Sequence, residues 1–115
     1  MIYLHYRMRL APYARQHMKE FWAWLEQRES WFYEDLPMVR EVQWFYSVIG
    51  DVYVIENIAT FDDEAAFGAY RKALANLKTN DSWESTRVSQ DDWWEFLDTR
   101  LTTDPPVRVG FRRAT

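Results

Sequence analysis

The chain has 115 residues, of which 48% are hydrophobic and 18% aromatic, with a formal net charge of −4 and no cysteine. This length predicts one domain over residues 1–115. The lack of cysteine excludes disulfides, thiolate metal sites and cysteine nucleophiles. The negative charge argues against nucleic acid or an anionic membrane as a partner. Seven each of Trp, Tyr and Phe indicate that some rings line a pocket or a subunit interface.

The chain opens on a strand-like segment, not on a basic region followed by an apolar stretch. No apolar run in the sequence reaches the length of a membrane span. We therefore expect a cytoplasmic protein with no membrane partner.

The first segment alternates between two faces, which predicts a strand. One face carries Ile2, Leu4, Tyr6 and Met8, and the other carries Tyr3, His5, Arg7 and Arg9. Pro12 then marks the start of a helix that we expect to run to about Tyr33. Its core face would hold Ala14, Met18, Phe21, Leu25 and Phe32. An adjacent stripe of Tyr13, His17, Trp24 and Trp31 predicts contact with the extended carboxyl-terminal segment or another subunit.

The stretch from Trp44 to Asp63 predicts a hairpin followed by a helix start. The first strand alternates through Val42, Trp44, Tyr46 and Val48, and the second through Tyr53, Ile55, Asn57, Ala59 and Phe61. Asp63 is the expected N-cap of the second helix, whose core face would hold Ala66, Tyr70, Ala73 and Leu77.

The carboxyl-terminal third predicts a second helical piece and a last strand. Residues 79–81, Thr-Asn-Asp, interrupt the helical pattern, and Ser89 with Asp92 resembles a capping box before Trp93, Trp94, Phe96 and Leu97. Pro105 and Pro106 would end this piece. The last strand would then alternate Val107, Val109 and Phe111 with Arg108, Gly110 and Arg112.

The predicted order is strand, helix, strand, strand, helix, strand. This order favours an α+β, ferredoxin-like βαββαβ fold with an antiparallel four-stranded sheet and both helices on one face. The other face carries large side chains that pairing with a second sheet would cover. We therefore predict a homodimer.

Three features together resemble the dimeric α+β barrel superfamily, closest to NIPSNAP-like proteins. They are the FYSVIG turn at 45–50, the strand-to-helix passage ENIATFDDEAAFGAYRKAL at 56–74, and the later Trp-containing segment. The resemblance implies two sheets packed face to face across a twofold axis, with clefts that bind small organic molecules. It also implies a wide range of functions, from cofactor-independent monooxygenases, cyclases and isomerases to proteins without known catalysis.

The mixed strand face is one candidate site. It would place Tyr3, His5, Arg7, Gln43, Phe45, Glu56 and Arg108 toward the paired sheet. His5 is the candidate general base, Arg7 the second catalytic residue, and Arg7 or Glu56 would orient His5. The alternative is structural: Glu56 and Arg7 form an ion pair within which His5 is hydrogen-bonded.

The opposite parity offers a second set of substrate-binding residues, namely Tyr6, Trp44 and Asn57. Asn57 would bind a substrate carbonyl or stabilise an enolate. A backbone or water partner for the Asn57 amide is the alternative.

With two histidines, no HExxH and no GxGxxG, P-loop or GxSxG motif, the sequence predicts no metal and no cofactor. We expect a protein that binds a hydrophobic or aromatic metabolite, as a cofactor-independent cyclase, isomerase or monooxygenase of specialised metabolism. The alternative is a NIPSNAP-like, non-catalytic binding or protein-interaction module. The sequence leaves open whether the protein is an enzyme.

Overall fold

The computed structural model describes residues 1–114. In chain order its elements are β1 (Ile2–Leu10), α1 (Pro12–Gln16), α2 (Met18–Tyr33), β2 (Glu41–Tyr46), β3 (Val54–Phe61), α3 (Glu64–Leu77), α4 (Asp81–Ser89), a 3-10 helix (Gln90–Asp92) and β4 (Trp94–Thr103). Among the helices of these residues, none is both long and apolar enough to cross a membrane.

The four strands form one antiparallel sheet in the order β2-β3-β1-β4. The helices pack on one face of it, which confirms the predicted ferredoxin-like α+β class. Across the sheet Trp44 lies opposite Asn57, Asn57 opposite Tyr6, and Tyr6 opposite Thr99. Side chains at these positions share the helix-covered face, because residues directly opposite each other in a ladder point the same way. We call the face away from the helices the outer face.

The first helix is interrupted once. His17 has φ −133° and ψ 53°, outside the helical region, and separates α1 from α2. Its ring stacks on the Tyr13 ring with centroids 4.0 Å apart, and its Nδ1 lies 2.9 Å from the Tyr13 carbonyl oxygen. The predicted limits at Pro12 and Tyr33 are otherwise confirmed.

The predicted core face of the first helix is confirmed, since Ala14, Phe21, Leu25 and Phe32 are buried. The aromatic stripe beside it packs within the chain. Trp24 stacks on Trp93 with centroids 5.0 Å apart, and Trp31 stacks on Trp83 at 5.2 Å. Both partners, Trp93 and Trp83, belong to the carboxyl-terminal third of the same chain.

The hairpin is shorter than its alternation predicts. Its loop spans residues 47–53, so Val48 and Tyr53 fall outside the strands. Gly50 and Tyr53 have φ of 103° and 66° there, and such left-handed positions end the pleat. The predicted cap is confirmed, because Asp63 Oδ1 accepts a 2.8 Å hydrogen bond from the Ala66 amide.

The predicted break in the helical region is confirmed at residues 78–80, since α3 ends at Leu77 and α4 begins at Asp81, but the second helical piece starts earlier than predicted. Asn80 caps α4, since its Oδ1 accepts from the Trp83 amide at 3.0 Å. Ser89 closes α4 instead of starting a helix, with its hydroxyl donating to the Thr86 carbonyl. The second helical piece therefore starts at Asp81 and not after Ser89.

The last strand is β4, at Trp94–Thr103, and not the Val107–Phe111 segment. A bulge at Leu97, between the Met8–Phe96 and Arg7–Asp98 pairs, explains the error. Because of the bulge, the residues of β4 that point inward are Trp94, Phe96 and Thr99. The step of three residues from Phe96 to Thr99 resembles the spacing of a helix. Val107, Val109 and Phe111 are exposed and lie outside the sheet, as does Arg108.

Candidate functional site

A cavity of about 290 Å³ lies between the sheet and the helices. We call it the helix-side cavity. Tyr6, Trp44, Asn57, Trp94 and Phe96 line it from the sheet, Arg28, Phe32 and Tyr33 from α2, Tyr70, Leu74 and Lys78 from α3 and the residue after it, and Arg87, Gln90 and Asp91 from α4 and the 3-10 helix. The volume lies just below the range of about 300–1,000 Å³ typical of small-molecule sites.

Two hydrogen-bond donors in the cavity wall are buried without an acceptor. Asn57 is 3% exposed and Trp94 2% exposed. Neither Asn57 Nδ2 nor Trp94 Nε1 makes a hydrogen bond to any of residues 1–114. We call these two N–H groups the donor pair. A buried unsatisfied donor costs about 1–3 kcal/mol, so both groups favour the entry of an acceptor.

Arg28 brings a cation to the same wall. Its side chain is 9% exposed and its Cζ lies 4.1 Å above the centroid of the Phe32 ring. Nε donates a 2.6 Å hydrogen bond to Gln90 Oε1, and Nη1 lies 3.4 Å from Glu29 Oε2. These contacts fix the position of the guanidinium, and the Tyr33 phenol lies beside it.

Three phenols complete the wall. Burial raises the pKa of Tyr6, Tyr33 and Tyr70, although the positive charge of Arg28 opposes the rise in each case. The three hydroxyls therefore stay protonated near neutral pH and can donate. The Tyr33 phenol lies beside Asn57 and Arg28, and the Tyr6 phenol lies beside Tyr70. The wall is rich in donors.

Glu29 fixes the orientation of two wall residues. Its Oε1 accepts a short hydrogen bond from Trp44 Nε1, and its Oε2 faces Arg28. Burial raises the pKa of Glu29, against the lowering effects of the Arg28 charge and the Trp44 N–H. The carboxylate therefore ties α2 to β2 across the edge of the cavity.

The charged groups at the cavity rim are Lys78, Arg87 and Asp91. Arg87 Nε donates to Glu84 Oε2 at 2.8 Å, so its charge is compensated within α4. Lys78 is exposed, and its ammonium forms no ion pair within residues 1–114.

The structure separates the predicted site residues into two groups. Tyr6, Trp44 and Asn57 come together in the helix-side cavity. The other six lie on the outer face, namely Tyr3, His5, Arg7, Gln43, Phe45 and Glu56, as their alternation requires. Arg108 is in neither group, because it lies beyond β4.

On the outer face, polar side chains pair with neighbours in other strands. His5 Nε2 lies 2.9 Å from Thr102 Oγ1 and its Nδ1 3.7 Å from Glu56 Oε1. Arg7 pairs with Asp98 at 2.9 Å. The expected Arg7–Glu56 ion pair is therefore replaced, since Glu56 approaches Arg100 at 3.5 Å.

No group of three or more His, Asp or Glu side chains within residues 1–114 is placed to hold a metal ion.

Comparisons with known proteins bear on the fold. No protein-family model and no curated protein matches the sequence. Among solved structures, HapK from Hahella chejuensis is 16% identical with a TM-score of 0.61, covering 96% of this chain and 98% of its own. The protein Atu4242 from Agrobacterium tumefaciens is 21% identical with a TM-score of 0.62, covering 92% and 95%. The chain has the fold of both.

An uncharacterized NIPSNAP-like domain protein from Burkholderia xenovorans is also similar, at 13% identity and a TM-score of 0.60. The match covers 95% of this chain and 90% of that one. The resemblance seen in the sequence is thus confirmed at the level of the fold.

Sequence reasoning missed Arg28, Tyr33 and Trp94. A signal for Arg28 was present, because the buried positions Phe21, Leu25 and Phe32 leave a gap at residue 28 on the same helical face. A charged residue within an apolar stripe indicates a buried site or an ion pair. Trp94 was missed because its segment was interpreted as a helix, whereas it begins β4.

Proposed function

We propose that the protein binds a hydrophobic or aromatic small molecule in the helix-side cavity. The donor pair carries this proposal, because two buried N–H groups without acceptors line one aromatic cavity. A ligand carbonyl or other oxygen would accept from them, and the surrounding rings would bury its apolar part.

We further propose that the outer face pairs with that of a second copy. Phe45 is 49% exposed there, and Tyr3 and Ile58 lie on the same face. Pairing would bury these side chains and enclose His5 and Arg7 between two sheets. In this arrangement His5 could act as a base on a molecule held between the subunits, as the sequence predicts.

The alternative remains a NIPSNAP-like protein-interaction module. It would use exposed aromatic side chains for partner contacts. Trp24 and Trp31, the stripe on which it depends, are instead stacked on Trp93 and Trp83. This packing favours the small-molecule proposal.

Native mass spectrometry of protein purified from its producing cells tests both proposals. We expect a dimer that carries a discrete additional mass. Asn57→Leu should lose that mass, whereas Gln27→Leu, which replaces an exposed amide side chain outside the cavity wall, should retain it. A ligand-free wild type, or an Asn57→Leu protein that keeps the molecule, would overturn the cavity proposal. A monomer would overturn the pairing of the outer faces.

A further inference from the structure

We infer that the ligand of the helix-side cavity is an aromatic acid, bound with its anionic oxygens toward Arg28 and the donor pair. This inference rests on the proposed function and adds to it the charge of the ligand. The supporting observations are the incomplete hydrogen bonding of the buried Arg28, the donor pair without acceptors, and the aromatic rings around the guanidinium.

Arg28 is fixed in position, but not all of its N–H groups have hydrogen-bond partners. Gln90 is neutral, and its 2.6 Å hydrogen bond to Nε positions the guanidinium without compensating its charge. The Glu29 carboxylate approaches only Nη1, at 3.4 Å, and also accepts from Trp44. The hydrogen bonds to Gln90, Glu29 and the Tyr33 phenol engage three of the five N–H groups of the guanidinium. An arginine can form a bidentate pair with a carboxylate, so an anion would complete its hydrogen bonding.

At the inner end of the wall, the acceptors for a donor on the ligand are neutral phenol oxygens. Asn57 Nδ2, Trp94 Nε1 and the protonated phenols of Tyr6 and Tyr33 can donate to a ligand, whereas the Tyr70 phenol bonds to Tyr6 and Gln90 Oε1 is occupied by Arg28. The carboxylate at the rim is Asp91. A cationic ligand would meet Arg28 and these donors, and a neutral hydrocarbon would leave them unpaired.

Arg28 is more buried than the other charged residues of the wall, Lys78, Arg87 and Asp91. Glu29 faces Arg28 at 3.4 Å, and Arg87 is paired with Glu84 at the rim. Lys78, at the mouth, adds a positive charge to which an anion is attracted as it enters. Rings of Phe32, Trp44, Trp94 and Phe96 form the apolar part of the wall. A ligand with a flat aromatic ring system and one acidic group matches this arrangement of charged and apolar wall residues.

Isothermal titration of the full chain at pH 7.5 with 2-naphthoate and with methyl 2-naphthoate tests the inference. The two probes share a ring system and differ in charge. We expect the acid to bind at least tenfold more tightly than the ester. Equal binding, or tighter binding of the ester, would overturn the inference and leave the proposed function standing. Binding of neither probe at millimolar concentration would contradict both.

Variants of Arg28 test whether this residue causes the preference for the acid over the ester. Arg28→Gln should remove the preference for the acid while the ester still binds, and Arg28→Lys should retain part of it. Arg40→Gln is the matched control, because Arg40 pairs with Asp62 on the surface and is not in the cavity wall. A preference that survives Arg28→Gln, in a protein whose circular dichroism spectrum is unchanged, would also overturn the inference.

Discussion

Arg28 donates a 2.6 Å hydrogen bond from Nε to Gln90 Oε1, which joins the middle of α2 to the 3-10 helix before β4. Gln90 is buried, and its Nε2 in turn donates to the Arg87 carbonyl at 2.9 Å. A single amide thus links the cation of the cavity to the end of α4. The position of Arg28 depends on this contact between distant parts of the chain.

Replacing Gln90 should therefore destabilise the fold. In Gln90→Leu the buried guanidinium loses its shortest hydrogen bond, and we expect the free energy of unfolding to fall by about 1.5–3 kcal/mol. Urea denaturation followed by tryptophan fluorescence measures this change. Gln27→Leu, the same substitution at an exposed position of α2, should stay within about 0.5 kcal/mol of wild type. Equal effects of the two substitutions would refute the role of Gln90.

Asn57 should behave in the opposite way. Because its amide nitrogen is buried without an acceptor in residues 1–114, Asn57→Leu removes an unsatisfied polar group and fills a similar volume. We expect unchanged stability or a gain of about 1 kcal/mol, together with loss of ligand binding. Thermal unfolding and titration with 2-naphthoate measure the two effects. A loss of more than about 1 kcal/mol would show that the amide supports the fold.

Glu29 should make stability depend on pH. Burial raises the folded-state pKa of this carboxyl, so between the unfolded value near 4.3 and the raised value the native state binds more protons. Stability therefore falls as pH rises through that window, and the penalty persists above it. Glu29→Gln has no such penalty.

The stability of Glu29→Gln relative to wild type should consequently increase from pH 4 to pH 7, as measured by urea denaturation at each pH. Glu26→Gln, an exposed position on the same helix, should show no such trend. A constant difference between Glu29→Gln and wild type across this range would contradict the assignment.

Hydrogen exchange should distinguish the two segments considered for the last strand. Amides of β4 that pair with β1 should be protected, whereas those of residues 107–111 should exchange at rates near those of an unfolded chain. Mass spectrometry of peptic fragments after exchange would measure this. Slow exchange in residues 107–111 of a monomeric sample would contradict the assignment of β4.

Local rules predicted much of the fold. The alternation of β1, the Asp63 cap and the core face of α2 depend on neighbouring residues, and the structure confirms each. The location of β4 depends on pairing with the free edge of β1 and on a bulge at Leu97, and neither is visible in local periodicity. A strand that is exposed over most of its length also lacks a strong hydrophobic pattern.

The site was only half predictable for a similar reason. Parity placed Tyr6, Trp44 and Asn57 on one face and His5 and Arg7 on the other. It could not show that the first face encloses a cavity, because α2, α3 and the segment around Gln90 come together there only in the folded chain. Residues that meet across long sequence separations, such as Arg28 and Gln90, leave no short-range signal.

The most direct test of the central claim is to follow the Trp94 indole N–H in two-dimensional nitrogen-15 NMR spectra during titration with 2-naphthoate. This N–H is buried in the cavity wall without an acceptor in residues 1–114, whereas the Trp22 side chain is exposed on α2. Trp94→Phe assigns the resonance. We predict that the Trp94 signal moves downfield in proportion to occupancy while the Trp22 signal stays in place. A Trp94 signal that does not move at saturation, with shifts confined to outer-face residues such as His5, would contradict the claim that the ligand binds in the helix-side cavity.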